Sequence, residues 1–161
     1  MMIKRMVCAL CAAILAFSLC ACGEKTKSID MQALENSMVS ADKTLPEMKV
    51  SGSWDENAEK AFSYISDLEY NKIHGFFLAY AADGMAYEIA VVQLKDKSDA
   101  SAMADSLREH VRSRVQMYKT YEPQQMQRAE SAVVKTDGDC VLLIMSDAPQ
   151  NAETAFKEFT K

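Results

Sequence analysis

The sequence predicts an α+β fold: one antiparallel sheet built from two Asp-Gly hairpins, with amphipathic helices packed on one face. Three observations carry the prediction. Asp83-Gly84 and Asp137-Gly138 each stand between two apolar runs, and Asp-Gly readily supplies the positive φ angles of a tight type I′ turn. Between the two pairs, Asp99 to about Tyr118 repeats apolar residues at helical spacing. The resulting order of helix, hairpin, helix, hairpin, helix sets paired antiparallel strands beside helices, as in α+β sandwiches.

The first element is not expected to remain in the mature protein. Lys4 and Arg5 precede an apolar stretch, Met6 to Leu19, that ends in Leu19-Cys20-Ala21-Cys22. This is the charged, apolar and small-residue order of an export signal. The stretch is shorter than the roughly 20 apolar residues of a membrane-spanning helix. Leu-x-Ala-Cys resembles the bacterial lipobox. That resemblance implies cleavage before Cys22, lipidation of its thiol, and a protein held by lipid at the extracytoplasmic face of the cell membrane. Residues 1–21 are thus read as a signal peptide, 22–28 as the lipidated cysteine and a short polar tether, and 29–161 as a single α+β domain. Cys8, Cys11 and Cys20 fall inside the signal, so Cys8-x-x-Cys11 is not read as a metal or redox motif. From Glu24 to Ser28 the tether reaches about 17 Å at full extension, which keeps the domain close to the bilayer.

Met31, Leu34 and Met38 give the first helix its face, with Ser28 or Asp30 as N-cap. Pro46 interrupts, and Glu47 to Val50 reads as a short extended piece. Ser53 and Glu56 have capping-box spacing before a helix whose apolar side is Ala58, Ala61, Phe62, Ile65 and Leu68. Phe76 to Ala82 and Met85 to Leu94 form the first hairpin. The long helix, capped by Ser98, follows with Ala100, Met103, Ala104, Leu107, Val111, Val115 and Tyr118 along its stripe. Pro123 restarts a helix through Met126 and Ala129. Ser131 to Thr136 and Cys140 to Met145 form the second hairpin. A final helix starts at Asp147 as N-cap, with Ala152, Ala155, Phe156 and Phe159 inward.

From Tyr64 to Phe159 the sequence resembles a bacterial family catalogued as domain of unknown function 4358, common in Gram-positive lipoproteins. The residues that carry the resemblance are Glu88-Ile89-Ala90-Val91-Val92 and the helix after it, Tyr121-x-Pro123, Ala132-Val133-Val134, and Gly138 through Ser146-Asp147. The resemblance implies a fold and an address, and no catalytic residue.

Composition narrows the function. The formal charge of −5 becomes −7 once Lys4 and Arg5 leave with the signal, a balance that disfavours nucleic acid and anionic headgroups. His74, His110 and Cys140 lack the spacing of a zinc site. Ser66, His74 and Asp83 could be assembled as a triad, but no Gly-x-Ser-x-Gly elbow supports it. Met31, Met38, Met103, Met117, Met126 and Met145 fall on apolar faces or in apolar strands, as core fillers do. Cys140 opens an apolar strand and reads as a buried, inert thiol. We therefore expect no enzyme, no catalytic or metal residues and no cofactor. Trp54, Tyr64, Tyr70, Tyr80, Tyr87, Tyr118 and Tyr121 are many amphipathic rings for one domain. Such rings either fringe a sheet or line a partner groove. The expected function is a non-catalytic, lipid-anchored envelope module that binds another envelope protein, with Tyr80 and Tyr87 as first contact candidates. The alternative is a small-ligand binding or sensing lipoprotein with a compact pocket between sheet and long helix.

Overall fold

Two near-continuous apolar runs, Ile89-Ala90-Val91-Val92 and Val141-Leu142-Leu143-Ile144-Met145, set the architecture, because strands of this kind need cover on both faces. In a computed structural model describing residues 28–161, they belong to neighbouring strands of one five-stranded sheet. The expected signal, Cys22 and the tether as far as Lys27 lie outside the described residues. The elements are α1 (Met31–Ala41), β1 (Met48–Gly52), α2 (Ala58–Phe62), β2 (Ile73–Ala81), β3 (Glu88–Leu94), α3 (Ala100–Tyr121), α4 (Met126–Glu130), β4 (Val133–Asp137), β5 (Cys140–Met145) and α5 (Pro149–Phe159). The sheet order is β1-β2-β3-β5-β4, and every neighbouring pair is antiparallel. The α+β class with an antiparallel sheet and helices packed against it is therefore the observed one.

The helices lie on both faces, which corrects the expectation of one. Strand alternation divides the core. Phe77, Ala79, Ile89, Val91, Leu142 and Ile144 pack with Met31, Leu34 and Met38 of α1 and Ala152, Ala155 and Phe156 of α5. Phe76, Leu78, Ala90, Val92, Val141 and Leu143 pack with Phe62, Ile65 and, from α3, Met103, Ala104 and Leu107. Every residue of β3 and β5 is buried. On the α3 side, Phe62, Tyr70 and Phe76 meet edge to face with centroids 5.3–6.2 Å apart, each pair contributing about 0.5–1.5 kcal/mol beyond its buried area.

Both turns differ from the expected type I′. Among the described residues positive φ occurs only at Gly84 (82°) and Gly138 (60°), whereas type I′ needs it at two successive positions. Asp137 pairs with Cys140, so the second loop is Gly138-Asp139, and positive φ at its first residue is the type II′ pattern. The first connection runs from Ala82 to Tyr87, and within it Ala86 is buried in a small cluster with Tyr118, Ala129 and Met145.

Capping also differs in places. Asp30 caps α1 as expected, accepting from Ala33 N at 3.0 Å. Ser53 does not close a capping box: its hydroxyl accepts from Phe76 N at 2.7 Å and ties the chain after β1 to β2. Asp96, not Ser98, supplies the side-chain acceptor before α3. Asp147 turns its carboxylate away from α5, toward Tyr87 and Arg128.

Candidate functional site

The first residue of β3 is a glutamate, and the sheet buries it: Glu88 is 3% exposed. Burying a carboxylate is costly unless it is paired and hydrogen-bonded. Its partners come from α3, where Ser106, His110, Arg114 and Tyr118 recur every fourth residue and so share one ridge beside the apolar stripe. His110 Nε2 lies 2.7 Å from Glu88 Oε1, a hydrogen bond between the two side chains. Arg114 Nε approaches Glu88 Oε2 at 3.7 Å, and the guanidinium also lies over the Tyr118 ring at 4.9 Å. Tyr118 donates to Gly84 O at 3.0 Å, and its burial raises the phenol above its ordinary pKa. The row thus links the long helix to the β2–β3 connection. In sequence its signal is a four-residue repeat of polar residues along an otherwise amphipathic helix.

A second polar cluster holds the other side of the same end. Tyr87 donates to Asp147 at 2.8 Å, and Arg128 reaches Asp147 through two nitrogens at 2.7 and 3.1 Å while its guanidinium lies 3.9 Å from the Tyr87 ring centre. Hydrogen bonding from Arg128 is the chief cause that holds the Asp147 carboxyl below its ordinary range. Tyr87 is only 8% exposed and offers little ring to a partner. Tyr80 is 37% exposed, on the strand position paired with Glu88. Met85 in the β2–β3 connection and Met117 and Tyr121 in the last turns of α3 are also exposed. Met117 therefore departs from the expected core role, whereas Met31, Met38, Met103 and Met145 are buried and Met126 is half-buried.

The other sequence candidates are scattered. His74 and Asp83 stand beyond opposite ends of the buried run of β2, and the Ser66 hydroxyl bonds Ser106 at 2.9 Å, so no Ser66–His74–Asp83 relay forms. Among the described residues no three His, Cys, Asp or Glu side chains gather as a metal site would require. Cys140 is buried, and desolvation first, then Asp139, pushes its thiol up to about 12. A groove of about 610 Å³ opens where the chain enters the domain, lined by Ile29, Gln93, Gly138, Cys140, Phe156 and Phe159 among others. No helix among the described residues is long and apolar enough to cross a membrane.

The model of one family, described as domain of unknown function (DUF4358), matches residues 48–146. The chain belongs to the DUF4358 family. The matched span runs from the start of β1 to just past β5 and so contains the whole sheet, Glu88 and the His110 ridge. Both α1 and α5, which cover one sheet face, lie outside the DUF4358 match. No curated protein and no solved structure matches the chain.

Proposed function

We propose that the chain is a lipid-anchored, extracytoplasmic module that binds another protein of the cell envelope and catalyses no reaction. One observation carries the reading: the domain has two dissimilar ends. Ile29, which follows the expected tether, donates its amide to Gln93 Oε1 at 2.9 Å, at the end of the sheet where Gln93 faces Cys140. At the other end Tyr80 is paired with Glu88, Met85 lies in the connection that follows, and Met117 and Tyr121 lie within a turn of Tyr118, which bonds Gly84 O there; all four are exposed. Glu88 and Gln93 are roughly 17 Å apart along β3 at about 3.3 Å per residue. A tether at one end and exposed tyrosine and methionine at the other suit a protein held by Cys22 and presenting its far end. Tyrosine is enriched among residues that dominate binding energy, and methionine among adaptable contact surfaces. Membrane anchoring of both molecules would raise their effective concentration, so modest affinity suffices.

The test is crosslinking and co-isolation from native membranes, comparing the wild-type chain with a Tyr80→Ala/Tyr121→Ala variant. A discrete partner recovered only with the wild-type chain supports the reading. Equal recovery by both would remove the proposed surface. The second reading, a small-ligand binder, rests on the 610 Å³ groove beside Gln93 and Phe156, which lies against α5 and not, as expected, between the sheet and the long helix. Stabilisation of the wild-type chain by a metabolite, lost on Phe156 or Gln93 substitution, would bring that reading forward.

A further inference from the structure

The His110 ridge has a second, outward side. Where α3 passes the segment that follows α2, a cleft of about 200 Å³ opens, and His110, Ser106, Ser113, Ser66, Asp67 and Tyr64 contribute to its walls. Ser66 and Ser106 bond each other at 2.9 Å, while Ser66 also accepts from Leu68 N at 3.0 Å. His110 has committed Nε2 to Glu88, which leaves Nδ1 as the ring's remaining polar atom. Among the described residues no hydrogen bond engages that nitrogen, the Asp67 carboxylate, the Ser113 hydroxyl or the Tyr64 hydroxyl. Tyr64 is 68% exposed at the rim. Glu109, also on the rim, is engaged by Arg112.

We infer that this cleft binds a single sugar ring, held by its hydroxyls against Asp67, His110 and Ser113 and stacked on Tyr64. The chemistry selects this class. Carboxylate, imidazole nitrogen and serine oxygens can all accept from hydroxyls. Serine hydroxyls also donate, which suits a ligand whose hydroxyls both donate and accept. An exposed aromatic face beside such groups matches the apolar C–H face of a pyranose. Among the described residues no lysine or arginine lines the cleft, so phosphate and other anions would meet Asp67 and Glu109 uncompensated. The volume suits one ring rather than a peptide. Glu88 acts as a positioning residue: it holds the His110 ring through Nε2 and leaves Nδ1 uncommitted. None of Tyr80, Met85, Met117 and Tyr121 lines the cleft, so different substitutions test the two proposals and either can fail without the other.

Saturation-transfer NMR on the full chain in a phosphocholine detergent tests this, with methyl β-glucoside and N-acetylglucosamine as probes and glycerol as the acyclic control. The expected result is saturable transfer to ring protons of at least one sugar and none to glycerol. That transfer should fall several-fold in Tyr64→Ala and in Asp67→Asn, both surface changes that leave the melting temperature unchanged. Absence of transfer to either sugar at high millimolar concentration would overturn the proposal. So would transfer that persists unchanged in both variants, because the sugar would then bind elsewhere.

Discussion

Glu88 Oε1 and His110 Nε2 meet at 2.7 Å across the seam between β3 and α3, with the carboxylate side chain only 4% exposed and the imidazole 14%. Arg114 stands on the same carboxylate at 3.7 Å, so the long helix is fastened to the sheet by charge at one end and by apolar packing at the other. Removing one member of a buried ion pair leaves the other, here Arg114, uncompensated, which typically costs roughly 3–5 kcal/mol. His110 and Arg114 reach solvent in part, so Glu88→Ala is expected near the low end, about 3 kcal/mol. Glu88→Gln, which keeps an acceptor for His110, should cost less. Urea denaturation of the three proteins gives the order, and equal midpoints for all would mean the group contributes nothing to folding.

The turn at Gly138 provides a second check. Its φ of 60° is strained for a branched side chain, although a Cβ added there would have open space, with no atom beyond its chain neighbours within 4 Å. Gly138→Val is expected to destabilise by roughly 1–3 kcal/mol, and Gly138→Asn by less, since asparagine tolerates that region. Thermal melts of both variants give the comparison. Because steric contact is absent, an equal cost for the two substitutions would point to something other than backbone conformation.

Gly52 tests packing instead. A Cβ at this position would stand 2.4 Å from the Trp54 ring, so Gly52→Ala must push the indole outward. Trp54 is the single tryptophan and is already 40% exposed. The substitution should therefore red-shift the protein's fluorescence while costing only about 1 kcal/mol, the low end for overpacking. An unchanged emission spectrum would mean the ring does not rest on Gly52 in solution.

Several of these relationships are legible in the sequence, and several are not, for identifiable reasons. Asp-Gly locates both hairpins. The second slips by one residue, because Gly138 is the position that needs positive φ and Asp137 remains in the strand. The uninterrupted run from Val141 to Met145 signals a strand covered on both faces, whereas the helix stripes by themselves are equally consistent with a single covered face. Ser53 fits a capping box by spacing, yet its hydroxyl is taken by Phe76 N, a partner distant in sequence that local pattern cannot reveal. Tyr80 lies at the surface and Tyr87 in the interior. Their difference is set by Asp147 and Arg128, again remote in the chain. The Ser106–His110–Arg114–Tyr118 ridge is readable as a four-residue repeat. Its meaning depends on Glu88 arriving beneath it.

Glu35 gives a prediction with pH. It is buried on α1, and desolvation raises its carboxyl above the ordinary value. A folded-state pKa above the unfolded one means that the fold favours the protonated form. The associated stability is complete below the unfolded pKa and declines as pH rises through the folded one. Glu35→Gln removes this titration. It should raise stability at neutral pH, with the gain shrinking toward zero below about pH 4. A gain independent of pH would place the effect in packing rather than in charge.

The proposed division of the molecule into an anchored end and a presenting end is most directly tested by site-specific photocrosslinking in intact cells that make the protein. A photoreactive residue is placed in turn at Met85, at Tyr121 and, as the control near Gln93, at Phe159. The account predicts one discrete protein adduct from Met85 and Tyr121, absent from Phe159 and reduced by Tyr80→Ala. Adducts from Phe159 alone, or no protein adduct from either Met85 or Tyr121, would contradict it.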